Sequence, residues 1–182
     1  MTIPNTLHSC EYGWSIRLPT NWVRLSGSLD TPVLAMSQPV VFAISEEWEP
    51  SLAWMLRGYP VDDATAGAFL EATLNEGSAE KAAVVPLINS IFRLIGDLDE
   101  ATVITLADGS RALETTESYY EGEVKRGYQL IVPLSVPSGQ APTFQRLCFY
   151  APAMVFNQYL EEVRNAARSF RYERPYGYKR PE

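Results

Sequence analysis

The chain has 182 residues, of which 46% are apolar and 20% charged, and its formal net charge is −7. A chain of that length forms one domain that buries about 70% of its unfolded surface, so its stability calls for neither a metal nor a disulfide. The composition excludes disorder, and the negative charge works against non-specific binding to a polyanionic nucleic acid.

Residues 12–18 read as a strand that Pro19 ends, with Trp14 and Ile16 on one face and Trp22 just beyond the break. Apolar runs at 33–36 and 40–44 flank Ser37-Gln38-Pro39, which predicts a strand, a turn and a strand. Residues 46–60 hold Trp48, Trp54 and Tyr59 among acids and prolines without a clear period, and read as a long connection. Asp62-Asp63 offers capping oxygens to a helix whose predicted face is Ala66, Phe69, Leu70, Thr73 and Leu74, with Gly77 as its stop. Residues 80–95 keep helical spacing through Val84, Leu87, Ile88, Ile91, Leu94 and Ile95, with Pro86 in a first turn. They favour a buried helix ending at Gly96 over a strand, although Val85 and Phe92 make the segment apolar nearly all round.

From Ala101 the period changes to two. Asp108-Gly109 predicts a two-residue hairpin with positive φ at both positions, Glu121-Gly122-Glu123 a second turn and Pro137-Ser138-Gly139-Gln140 a third. The result is a four-strand antiparallel meander, with Pro133 at an edge or a bulge because it cannot donate to a ladder. A final helix opens after Ala151-Pro152 and carries Phe156, Tyr159, Leu160, Val163, Ala167 and Phe170 as one stripe. Residues 172–182 read as a loose tail with Tyr176 and Tyr178. From Arg164 onward there are six Lys/Arg against two Glu, a mildly basic end on an acidic body.

Gly13 to Trp22, Ala107-Asp108-Gly109 with its following strand, and the helix closing on Arg168-Ser169-Phe170-Arg171 occur in an order that resembles a known family. It contains PsbP of the oxygen-evolving complex, the bacterial DcrB-type proteins and a Ran-binding nuclear import factor. The resemblance implies an α+β chain folded as an α/β/α sandwich. Its sheet would be twisted and mostly antiparallel, ending in the four-strand meander, with helices on both faces. It further implies a single domain over 1–171 and a binding or assembly role without catalysis, and carries over no functional residue. The apolar segment 80–95 and the start of the chain depart from the family pattern.

Residues that carry chemistry are sparse. Nucleophilic catalysis of the Ser-His or Cys-His type needs a placed histidine, and the single one, His8, lies near the start of the sequence, where an exposed position is expected. No phosphate-cradling glycine motif is present. Glu114, Glu117, Glu121 and Glu123 are the carboxylates that a hydrolase would need. Glu114 and Glu117 fall on opposite strand faces, and Glu121 and Glu123 flank a turn, so a solvated face is expected. Cys10 and Cys148 fit no metal or redox spacing, and Cys148 reads as a buried small hydrophobe.

These features lead to a cytoplasmic, non-enzymatic protein without catalytic, cofactor or metal residues. It has no secretory-type start and no run of the roughly 18–20 apolar residues that a membrane span requires. It is expected to act on a protein partner through Trp48, Trp54, Tyr59, Tyr176 and Tyr178, and to form a homo-oligomer, if at all, through 80–95. The alternatives are a carrier of small apolar ligands, with a pocket between sheet and helices, and a carboxylate-based hydrolase.

Overall fold

Backbone hydrogen bonding gathers the strands into two sheets. The computed structural model describes residues 6–9, 14–18, 22–23, 40–45, 53–134 and 143–172. The first elements are β1 (Thr6–Ser9), β2 (Trp14–Arg17), β3 (Trp22–Val23), β4 (Val40–Ser45) and β5 (Ala53–Pro60). The helix α1 (Asp63–Ala72), the short β6 (Gly77–Ser78) and α2 (Lys81–Ile91) follow. The long strands β7 (Asp97–Thr105), β8 (Arg111–Tyr120), β9 (Val124–Leu134) and β10 (Thr143–Pro152) lead to α3 (Ala153–Arg168) and β11 (Arg171–Tyr172). The larger sheet has eight strands in the order β3-β4-β5-β10-β9-β8-β7-β6, and the smaller one runs β1-β2-β11.

The meander is β7 to β10, each strand antiparallel to the next. Its first turn differs from expectation. The Gly109 N–H donates to the Leu106 carbonyl and the Leu106 N–H to the Ser110 carbonyl. Gly109 alone is left-handed, at φ +84°, so the loop is three residues closed by a glycine bulge. Asp108 caps it from the side, accepting from the Ser110 N–H at 2.9 Å. Pro133 lies beyond Leu113↔Ile131, the last β8–β9 partners, so its missing N–H falls where β9 is paired to β10 alone among the described residues.

Three local expectations are corrected. Residues 53–60 form a strand inside the sheet rather than part of a connection, paired along their whole length with β10 from Ala53↔Tyr150 to Pro60↔Thr143. Pro60 is the last residue of β5, where a lost donor ends the ladder instead of breaking it. Helix α1 stops at Ala72 rather than Gly77 and buries Phe69 with Thr73 beneath it, while Leu70 and Leu74 are exposed. The Thr73 hydroxyl donates to the Phe69 carbonyl at 2.8 Å, the same carbonyl that accepts the Thr73 N–H at 3.0 Å, so the buried hydroxyl is itself satisfied. Pro86 sits inside α2 rather than in its first turn, and the Ala82 carbonyl that loses its donor lies on the exposed side of the helix.

Strand alternation divides the interior in two. On one face Ala112, Tyr128, Leu130, Leu147 and Phe149 pack beneath Phe156, Val163 and Ala167 of α3, and β2 adds Trp14 and Ile16. Trp14 and Phe170 stack with ring centroids 6.0 Å apart. The Arg17 N–H donates to Ser169 Oγ at 2.8 Å, fastening the start of the chain to the end of α3. On the other face Leu113, Ile131 and Phe144 meet Phe69 of α1 and Val84, Leu87, Ile88 and Ile91 of α2. The apolar side of α2 is therefore core, but the helix stops at Ile91 rather than at Gly96, and Ile95 beyond it is exposed. A second copy docking on this segment would meet its exposed residues, Lys81, Asn89 and Arg93 among them. The chain is an α+β sandwich of helix, sheet and helix layers, as expected. Tyr172, expected in the tail, pairs with Trp14 in the small sheet.

Candidate functional site

Of the five aromatic residues expected to meet a partner, Trp48, Tyr176 and Tyr178 lie outside the described residues. Trp54 and Tyr59 belong to β5, where their backbones pair with Phe149 and Phe144 of β10. The two are therefore strand positions inside the sheet and not parts of a surface connection.

The expected solvated acidic face is also corrected. Glu114 and Glu117 are buried, on opposite sides of β8. Glu114, 5% exposed, accepts from the Tyr128 hydroxyl at 3.0 Å and from Arg168 through both Nε and a terminal nitrogen, each at 3.0 Å. Arg164 Nε stands 3.3 Å from the same carboxylate. Burial and then the Glu114 charge push the Tyr128 hydroxyl well above its usual pKa, while the hydrogen bond to Glu114 raises that of Arg168. This cluster anchors the last turns of α3 to the sheet. Its carboxylate is already neutralised by two guanidinium groups, so it is not a free acid or base.

Glu117 faces the α1–α2 side beside Tyr150, and neither of its oxygens meets a donor at full hydrogen-bond geometry among the described residues. Gly127 opposite makes room for the Tyr150 ring and the Glu117 side chain, because a Cβ there would stand 2.4 Å from the ring and 3.0 Å from Glu117 Cγ. Nearby Arg146 stacks its guanidinium 3.9 Å from the Phe92 ring centroid and donates to Gln129 Oε1 at 2.7 Å and to the Tyr150 hydroxyl. Among the described residues, no three His, Cys, Asp or Glu side chains come together as metal ligands do.

The surface feature that stands out is the end of the sheet where β8 turns into β9. An open hollow of about 580 Å³ lies there, lined by Ile95, Gly96, Asp97, Ser118, Tyr119, Tyr120 and Glu121. Its floor is backbone against backbone. A Cβ on Gly96 would come within 2.1 Å of the Ser118 carbonyl oxygen and 2.6 Å of Tyr119 Cβ. The hollow is therefore shaped by a close chain crossing at which only glycine fits. Tyr120 is 76% exposed, its register partner Val124 and also Ile95 are each more than half exposed, and Met154 at the start of α3 is 82% exposed. Four of the six exposed large hydrophobic side chains among the described residues thus sit at this one end, while Leu70 and Leu74 lie on α1.

The lining carries two carboxylates, Asp97 and Glu121, and no cation. Glu123 is exposed beside them. Lys125 pairs with Glu121 at 3.0 Å, while Asp97 and Glu123 have no ion pair among the described residues. The sequence reading placed Glu121 and Glu123 at a turn without seeing a site. The available signal was Tyr119-Tyr120 running straight into an acidic glycine turn, together with Ile95 ahead of Gly96.

No protein-family model matches the chain, and no curated protein matches it by sequence. Among solved structures it is similar to LpqN of Mycobacterium tuberculosis, described as involved in cell envelope biogenesis. The likeness has 14% identity and a TM-score of 0.54 over 94% of this chain and 91% of that one. The cyanobacterial PsbP (CyanoP) of Synechocystis sp. PCC 6803 aligns over 94% of both chains, with 10% identity and a TM-score of 0.48. At such identities the likeness concerns fold and not function. No helix among the described residues is long and apolar enough to cross a membrane. Helices on both faces of an antiparallel meander, the closing helix docked on an N-terminal strand, and end-to-end agreement with LpqN give this chain the PsbP-like fold.

Proposed function

We propose that the protein is a non-enzymatic binding or assembly factor that works through protein–protein contacts at the β8–β9 end of its sheet. The observation that carries this reading is the preformed hollow walled by exposed Tyr120 and Ile95, with exposed Val124 paired to Tyr120 at its edge. Exposed apolar side chains gathered at one place and rimmed by charge mark contact surfaces. The hollow lies at the surface and not between sheet and helices, which favours contact over the carriage of a small apolar ligand. The engagement of Glu114 by Arg164 and Arg168 argues against a carboxylate hydrolase. Trp48, Tyr176 and Tyr178 stay within the proposal as further contact residues, and the cytoplasm stays as its setting.

A photo-crosslinking amino acid at Tyr120, compared in cells with one at exposed Ala83 on α2, tests the reading. Discrete adducts from position 120 and none from position 83 are expected. Equal adducts from both, or none from either together with turnover in a substrate screen, refute it. Cell fractionation checks the setting, and recovery with the envelope would overturn that part.

A further inference from the structure

The hollow at the β8–β9 end also has a chemistry of its own. Its walls are Tyr119, Tyr120 and Ile95, and its charged groups at neutral pH are the carboxylates of Asp97 and Glu121, with Glu123 alongside. Lys125 pairs with Glu121 and also feels the charge of Glu123, while exposed Arg93, two residues before Ile95, does not line the hollow. Aromatic faces attract cations through their quadrupole, and carboxylates do so through charge. Its volume of about 580 Å³ falls within the usual 300–1,000 Å³ of preformed binding pockets. Because Gly96 against Ser118 and Tyr119 forms the floor, no side chain has to leave before an occupant enters.

Resting on the reading of this end as a protein-contact surface, we propose that the hollow receives a basic segment of a partner protein. An arginine or lysine would lie along Tyr120 towards Asp97 and Glu123, with a neighbouring aliphatic anchor against Ile95. A second copy presenting the same end would set Glu121 and Glu123 against their own kind, so charge disfavours self-docking here. The same acids repel a phosphate backbone or an anionic lipid surface.

The test uses the full chain, labelled with nitrogen-15, and two synthetic peptides. One is a twelve-residue peptide that alternates Lys/Arg with Leu. The other is its match with Glu at each basic position. The basic peptide is expected to shift the amide signals of Ile95, Gly96, Ser118 and Tyr120, and the acidic one to leave them in place. A D97K/E123K variant, altered only at exposed positions, is expected to bind the basic peptide about tenfold more weakly with its circular dichroism unchanged. Raising the salt should weaken binding in the native chain more than in the variant. The inference is overturned if the basic peptide does not bind, binds elsewhere, or binds both chains equally. It is also overturned if self-association of the chain accounts for the shifts. If Tyr120 crosslinks discretely in cells while the peptides fail, only the basic character of the partner is wrong. If the crosslinks fail as well, the contact surface itself falls.

Discussion

Replacing Glu114 with alanine removes the acceptor that joins β8, β9 and α3. Tyr128 is fully buried, and its hydroxyl loses the Glu114 carboxylate as an acceptor. A hydrogen bond to a charged group contributes about 1.5–3 kcal/mol. Arg168 is 47% exposed and Arg164 21%, so both guanidinium groups can turn towards water. Solvent therefore screens what they lose, which holds the ion-pair share to roughly 0–1 kcal/mol each. The expected total is about 2–5 kcal/mol. At roughly 2–4 °C per kcal/mol for a domain of this size, the midpoint of thermal unfolding falls by about 4–20 °C. Urea unfolding followed by tryptophan fluorescence measures the loss, and an unchanged slope would show that the unfolded state is not its source. Tyr128→Phe alone should cost about 1 kcal/mol. The double variant should cost less than the two singles together by about 1 kcal/mol, because each removes half of one contact. A Glu114→Ala loss below about 0.5 kcal/mol, or strict additivity, would refute the view that this carboxylate fastens α3 to the sheet.

Four further outcomes follow from the geometry. Trp14→Ala should lower stability by about 3–5 kcal/mol in urea while leaving crosslinking from position 120 in the folded fraction unchanged, since Trp14 lies inside the α3-side core. Burial raises the hydroxyls of Tyr128 and Tyr172 well above 10.0, so above that pH the unfolded chain releases protons that the native state keeps. Stability present below pH 10 should then fall by about 1.4 kcal/mol per pH unit for each such tyrosine, and Tyr128→Phe should remove one share of the slope in alkaline titrations. Gly67→Ala, in α1 with nothing within 4 Å of the new Cβ, should raise stability by about 0.5–1 kcal/mol. Gly96→Ala should lower it by about 1–3 kcal/mol and disturb the hollow, because the Ser118 backbone must move.

The meander was legible because its turn residues and its period of two point the same way, and α3 because its stripe spans four turns. Helix α1 was misread because a ten-residue helix seated along Phe69 and Thr73 buries a stripe narrower than its apolar pattern suggests. Strand β5 was hidden because partners on both sides supply its backbone bonds, so tertiary pairing overrides the weak local signal. Glu114 looked solvated because the arginines that justify its burial lie 50 and 54 residues further on. The hollow was invisible for a similar reason: Gly96 and Ser118 meet only through the register of β7 against β8.

The fastening of the first strands to the last helix also bears on the order in which the molecule is made. Arg17 and Ser169 are 152 residues apart. At a synthesis rate of roughly 5–20 residues per second, β2 waits roughly 8–30 s for the helix that covers Trp14. Among the described residues, the core beneath α1 and α2 draws on side chains between Val61 and Phe144, so neither β2 nor α3 is needed to close it. The interior would then be completed in two stages, with the N-terminal strands the last to find their place. During that interval an exposed Trp14 and Ile16 are the segment most in need of a chaperone.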